Sequence, residues 1–201
     1  PAVNANVKLF DSNYVYLNKS INTNTSGQAV FTNLSKGTYN YEVSYAPTNT
    51  SPITNNIEFW GSGTVTINGS SQSVSFTRNH PYISTGPTFT PSTLNTGQPT
   101  SASFTLKNAL AYTADSYVAV WVDRDKASSW DNSQNLAAKI ISAGGTSSYA
   151  YSVTPTSVGT YYCYAFVYTK VNGNYIITDQ YVWVQAFTAT APVTAISITP
   201  P

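Results

Sequence analysis

From one end of the chain to the other, apolar and polar residues alternate with a period of two, and no stretch sustains the period of an amphipathic helix. Val, Ile, Thr and Tyr fill the alternating runs, while Gly, Asn, Ser and Pro separate them. That is the pattern of half-buried strands joined by tight turns, so the chain is expected to be all-β. Its 201 residues suffice for two domains. In the first half strands are expected near 6–10, 14–18, 28–32, 38–45, 55–60, 63–68 and 72–78. In the second they are expected near 100–107, 116–123, 137–142, 147–154, 159–169 and 174–186, with the polar stretch Asp125–Gln134 read as a loop that can include a helical turn. Between the halves, Asn79-His80-Pro81, Gly86-Pro87 and Pro91 interrupt the alternation, because proline fixes φ and has no amide to donate. The expected organisation is two β-sandwich domains over 1–83 and 84–187, followed by an extended tail over 188–201.

Charged residues make up only 8% of the chain against 41% hydrophobic, a balance that excludes disorder. The net charge is +1 with no basic run, so nothing in the sequence would neutralise nucleic-acid phosphates. The polar surface therefore rests on Ser, Thr, Asn, Gln, Tyr and Gly, whose hydrogen-bonding state changes little with pH. Such a surface suits an exterior setting. Met is absent and the first residue is Pro1, so the chain is expected to be the processed product of a longer secreted precursor. Cys163 is the single cysteine, which leaves no intrachain disulfide. The longest apolar run, Tyr117–Val122, is far short of the roughly 20 residues that span a bilayer, and no transmembrane segment is expected.

Residues capable of chemistry are few and scattered. The one histidine, His80, has no acidic or thiol partner nearby in sequence and reads as an ordinary linker residue. Asp123, Asp125 and Asp131 start like a calcium loop, but Ala127 and Gln134 occupy ligand positions, so solvated loop carboxylates are the default. Glu42 and Glu58, the two glutamates, lie in different expected strands, and nothing specifies a glycosidase separation between them. Neither an enzyme nor a metal or cofactor site is expected.

Alternation divides the strongest strands of the second domain into two faces. Val118, Val120, Val122, Cys163, Ala165, Val167, Val182 and Val184 form an aliphatic one. Tyr117, Trp121, Tyr162, Tyr164, Phe166, Tyr168, Tyr181 and Trp183 form an aromatic one. Only one face can meet an opposing sheet. The other is open to a neighbouring subunit, to sugar, to the loop 125–136, or to burial within the domain. The segment Gly159–Tyr168, GTYYCYAFVY, resembles the Tyr-x-Cys strand of immunoglobulin-like domains, without the partner cysteine of their bridge.

In the first domain, SGQAVFTNLSKGTYNYEVSY over Ser26–Tyr45 resembles the transthyretin-like or collagen-adhesin B-type sandwich through Gly27, Phe31, Leu34, Gly37 and its tyrosines. That resemblance implies a further strand before Asn6–Phe10, for which only five residues are present, and it raises an intramolecular Lys–Asn crosslink among Lys8, Glu42 and Asn79. Lys8 alternates with Val7 and Leu9, which points it to solvent. The tail, FTATAPVTAISITPP over Phe187–Pro201, would reach roughly 45–50 Å if extended. Phe187, Ala189, Ala191, Val193 and Ala195 share one of its faces, and Ile196 and Ile198 the other.

A domain short of a strand and a tail that is spare can satisfy each other between copies, by strand addition at a sheet edge. The contact would be head to tail and would propagate as an open filament. The donor residues expected are Ala191, Val193, Ala195, Ile196 and Ile198; the alternative is that the tail closes its own chain as a final strand or is a stalk towards a further domain. Five sequons, at Asn18, Asn24, Asn33, Asn49 and Asn68, are candidate N-glycan sites, although a chain this rich in Ser, Thr and Asn yields roughly three such tripeptides by composition. The whole resembles the thread-filament pilins of acid-loving archaea. That resemblance implies a glycosylated extracellular filament for adhesion and biofilm formation, with identical subunits as partners. The competing reading is a monomeric carbohydrate-binding adhesin or accessory module that uses the aromatic face.

Overall fold

The structure is a computed structural model that describes residues 3–46, 57–124 and 130–192, apart from the side chains of residues 182 and 183. Among the described residues the chain is all-β, with thirteen strands and no helix. The first four, β1 (Asn6–Phe10), β2 (Tyr16–Asn22), β3 (Gly37–Tyr45) and β4 (Glu58–Ile67), form one antiparallel sheet in the order β2-β1-β3-β4. Their register sorts the side chains by polarity. Val7, Leu9, Ile21, Tyr39, Tyr41, Val43, Val65 and Ile67 line one face together with Lys19, and Asn6, Lys8, Ser20, Asn40, Glu42, Ser62 and Thr64 line the other together with Phe10 and Phe59. Among the described residues the apolar face is met by irregular chain, not by a second hydrogen-bonded sheet: Phe76 packs edge-on against Tyr41, and Phe31 and Leu34 are half-buried. Residues 28–32 and 72–78, expected as strands, join no ladder. The two strands expected at 55–60 and 63–68 are one, β4.

β4 runs through two glycines that sequence reasoning takes for turn formers. A side chain at Gly61, where φ is +145°, would overlap the Asn79 side chain and crowd Phe76, and one at Gly63 would overlap the Tyr41 phenol. Both glycines make room for close packing against an uninterrupted strand.

The second domain is a sandwich. Strands β5 (Tyr82–Thr90), β7 (Thr100–Lys107) and β11 (Thr146–Val153) form a three-stranded sheet in the order β11-β7-β5. It faces a larger sheet of β10 (Lys139–Ile141), β8 (Ala114–Asp123), β12 (Gly159–Val171), β13 (Asn174–Thr190) and β6 (Thr93–Asn95), with β9 (Asn132–Asn135) paired to β8. The helical turn anticipated within Asp125–Gln134 gives way, at its C-terminal end, to β9. Between the sheets lies one core, in which Phe89, Phe104, Leu106, Tyr149 and Tyr151 meet Val118, Val120, Val122, Cys163, Ala165 and Val167. The buried phenols of Tyr149 and Tyr151 donate to Ser116 O at 2.8 Å and Asn132 Oδ1 at 2.7 Å, so these rings bring no unpaired hydroxyl into the core.

Residues 82–90, taken in sequence for part of an interdomain break, are an edge strand. Pro87 falls in the irregularity between Thr85 and Thr88, where the ladder asks for no amide. The start of the expected tail also belongs to the sandwich. Thr188, Ala189 and Thr190 pair in parallel with Thr93, Leu94 and Asn95, and Phe187 and Ala189 are buried in the core. Ala191 is exposed just past β13. Val193, Ala195, Ile196 and Ile198 lie outside the described residues, as do Asn49 and the side chain of Trp183.

Cys163 illustrates how closed this core is. It is 1% exposed, and burial pushes its thiol up to about 12. The thiolate is the reactive form, so a maleimide should leave the folded chain unlabelled at neutral pH and label it fully in concentrated guanidinium chloride. Labelling of the folded chain would show that the two sheets separate.

Candidate functional site

The N-terminal sheet has the composition of a layer that lacks a full partner. Ala5, Leu9 and Val43 are the aliphatic side chains buried in it, whereas Val7, Ile21, Tyr39, Tyr41, Val65 and Ile67 on the same side stay half-exposed. Among the described residues its two outer strands, β2 and β4, each pair with one other strand, and Trp60 O on the outer side of β4 accepts from the Asn79 amide. Along β2 a cleft of about 230 Å³ separates Lys19, Ser20 and Ile21 from Val30, Phe31 and Thr32. An edge of free amides and carbonyls beside a half-covered apolar face is the physical requirement for adding a strand.

The opposite pole of the molecule is the C-terminal end of β13. The N-terminal domain docks near the β12–β13 hairpin, where Arg78 donates to Thr178 O and the Thr178 hydroxyl donates to Pro81 O at 3.0 Å. Thr190, at the far end of β13, lies roughly 35 Å along the strand from that contact. The sheet with open edges and the C-terminal end of β13 are therefore at opposite ends.

The densest group of charges was not visible in sequence and sits at the domain junction. Arg78 Nη2 lies 3.3 Å from Glu58 Oε2 and 3.1 Å from Asp179 Oδ1. Trp60 Nε1 donates to Glu58 Oε2 at 2.5 Å, and the Ile83 amide donates to Asp179 Oδ2 at 2.6 Å. The guanidinium also lies over the Trp60 ring, 5.5 Å from its centroid. Burial raises both carboxyls above their ordinary range, and Arg78 opposes that shift in each. His80, expected as a linker residue, is buried against Phe59, with ring centroids 5.0 Å apart. Burial first, and the Arg78 charge second, lower its pKa from 6.5 to about 4.

A histidine kept neutral by the fold contributes stability that is full above pH 6.5 and is lost as pH falls through about 4. The expected loss from His80 over that window is about 2–3 kcal/mol. Glu58 and Asp179 act with the opposite sign: their contribution is full below the ordinary carboxylate range and is lost as pH rises through their raised values. Urea midpoints against pH for the wild type and for His80→Gln should therefore diverge between neutral pH and pH 4, and their difference isolates the histidine. Parallel curves would mean that His80 titrates alike in both states.

The aromatic face is closed in large part by its own chain. Tyr164 and Phe166 are 0% and 1% exposed. Trp121 packs edge-on against Phe166 at 4.7 Å, Trp130 lies 5.7 Å from Trp121, and Tyr117 stacks on Tyr168 at 4.8 Å. Tyr117, Trp121, Tyr162 and Tyr168 are half-buried. Tyr181 does not belong to this face. β13 carries an extra residue where Cys163 and Ala165 pair with Val184 and Tyr181, and that bulge turns Tyr181 onto the inter-sheet core beside Ala165.

Among the other residues singled out in sequence, Asn18, Asn24, Asn33 and Asn68 are all exposed. Asn24 Oδ1 is engaged by the amides of Ser26 and Gln28 at 2.9 and 3.0 Å. Lys8 is exposed and pairs in register with Glu42, but its ammonium leans over Tyr16 on the β2 side, whereas the Asn79 amide bonds Trp60 O on the β4 side. The possible crosslink partners are thus not brought together. Asp123 is buried and Asp131 accepts from the Arg124 amide at 2.9 Å. Among the described residues no three His, Cys, Asp or Glu side chains converge as a metal site, and no helix is long and apolar enough to cross a membrane.

No protein-family model and no curated protein matches the chain in sequence. Solved structures give likenesses of low identity. A DUF3823 family protein from Bacteroides ovatus is 13% identical over 94% of this chain and 90% of that one, with a TM-score of 0.39. The CARDB domain of the PF1109 protein from Pyrococcus furiosus is 13% identical over 56% and 93%, with a TM-score of 0.37. The Pseudomonas fluorescens alkylpurine DNA glycosylase AlkC is 18% identical over 57% of this chain, with a TM-score of 0.38, and this chain spans 32% of its length.

Proposed function

We propose that this chain is a structural, non-enzymatic subunit of an extracellular filament, joined head to tail when the 193–198 segment of one copy adds to the N-terminal sheet of the next. The observation that supports this reading is the polarity of the molecule: among the described residues, a sheet with open edges and a half-covered apolar face lies at one pole, and the C-terminal end of β13 at the other. Val193 is three residues beyond Thr190, a reach of about 10 Å, while the same chain's N-terminal domain begins roughly 35 Å away. The first residues of the segment fall short of their own N-terminal sheet, and donation to a neighbour is the arrangement that would satisfy both ends. Repetition of that heterologous contact makes an open polymer.

The uncharged polar surface and the exposed Asn18, Asn24, Asn33 and Asn68 fit an exterior, N-glycosylated role in adhesion or biofilm formation. Electron microscopy and size-exclusion chromatography of the purified chain test the reading. Unbranched fibres, lost on removal of residues 193–201, are expected. Discrete monomers at high concentration, or fibres that survive the truncation, would overturn it.

A further inference from the structure

The polar face of the N-terminal sheet, away from its assembly face, opens onto a broad cleft of about 1030 Å³ between the two domains. Glu42, Ser62 and Phe59 form its N-terminal wall, and the turn after β7 together with the β12–β13 hairpin forms the other. Three features separate it from ordinary surface. Its rim holds Tyr14, Ile57 and Tyr112, which are 51%, 56% and 62% exposed and stand among the most exposed large apolar side chains described. Its wall contains His80, whose Nδ1 atom is buried without a hydrogen-bond partner. Among the described residues its lining includes no lysine or arginine, and Glu42 is the one carboxylate in it.

Those features select a ligand class. Exposed tyrosine rings offer flat apolar surface to a partner with apolar C–H faces. Asn172, Asn174, Ser62 and Glu42 offer donors and acceptors for hydroxyl groups. An anion would meet the Glu42 carboxylate, and Lys8, its register partner, turns its ammonium away over Tyr16 and is not among the lining residues, so phosphates, nucleic acids and acidic peptides are disfavoured. The volume lies at the upper end of the range for ligand sites, about 300–1,000 Å³, which suits a chain of several rings better than one small molecule. We propose that the interdomain cleft binds a neutral oligosaccharide, with Tyr112 and Tyr14 stacking on sugar rings and Glu42 accepting from their hydroxyls. Because the cleft uses the sheet face opposite to the apolar one, occupancy does not depend on polymerisation, and a monomeric truncated chain retains it.

The test is titration calorimetry of the full chain, and of the chain truncated after Pro192, against a panel of neutral hexasaccharides of glucose, mannose and N-acetylglucosamine in α and β linkages. At least one member should bind saturably, one per chain. Tyr112→Ala and Glu42→Gln should each weaken that binding at least tenfold without changing Tm, while Trp121→Phe on the aromatic face should leave it unchanged. The assignment is overturned if no panel member saturates, if the two cleft variants bind like wild type, or if Trp121→Phe is the variant that loses binding.

Discussion

Replacing Arg78 with Met is expected to destabilise the folded chain by about 3–5 kcal/mol at neutral pH, the range for removing one partner of a buried ionic cluster. The guanidinium bonds two carboxylates and a carbonyl at the domain junction, through Glu58 Oε2, Asp179 Oδ1 and Thr178 O. Glu58 is 5% and Asp179 9% exposed, so neither carboxylate recovers hydration when the cation goes. Their remaining bonds, from Trp60 Nε1 and the Gln180 side chain to Glu58 and from the Ile83 and Gln180 backbone amides to Asp179, cannot balance two negative charges. The sign with pH follows. Both carboxyls already sit above their ordinary range, and without Arg78 each rises further, so the penalty shrinks as pH falls and the pair takes up protons. Denaturant midpoints at neutral and acid pH for Arg78→Met, and for the same change combined with Glu58→Gln and Asp179→Asn, check the account. The triple variant should recover most of the loss at neutral pH, and equal midpoints for wild type and Arg78→Met would show that the cluster carries no net weight.

That cluster also marks where sequence reasoning stops. Glu58, Arg78 and Asp179 come from β4, the connection after it and β13, and no local spacing links them. Strand periodicity, by contrast, is a local property. It places β1, β3, β7, β8 and β12 and divides β8 and β12 into their aliphatic and aromatic faces, because those strands pair in unbroken register over Ser116–Asp123 and Tyr162–Thr169. Alternation fails where the register breaks. The extra residue in β13 moves Tyr181 to the core, a shift that depends on a neighbouring strand. Proline and glycine mislead for a related reason. Pro87 and Gly61 look like chain breaks, yet one occupies a bulge in an edge strand and the other yields space to Asn79. Residues 28–32 have the alternation of a strand but no ladder partner among the described residues, so pattern alone does not make them one.

Truncation of the tail should have the largest effect on assembly, and the fold dictates where to cut. Removing residues 188–201, the tail as bounded by sequence, would delete Thr188, Ala189 and Thr190 from their pairing with β6 and would also strip the Thr96 amide of its acceptor, Thr190 O. The second sandwich would then lose stability for reasons unrelated to polymerisation. A cut after Pro192 spares every one of those bonds. On the proposed reading it removes Val193, Ala195, Ile196 and Ile198, whose burial in a neighbour supplies on the order of 5 kcal/mol or more before ordering costs. Each 1.4 kcal/mol is tenfold in affinity, so the subunit contact should weaken by more than about a thousandfold, enough to abolish fibres at micromolar protein. Ile196→Asp tests the same contact with the tail intact, since a carboxylate in a dry groove costs several kcal/mol unless it takes a proton. Its assembly defect should therefore ease in acid, whereas that of the truncated chain should not. If Ile196→Asp polymerises like wild type at neutral pH while the truncation does not, the tail acts by some route other than burying that side chain.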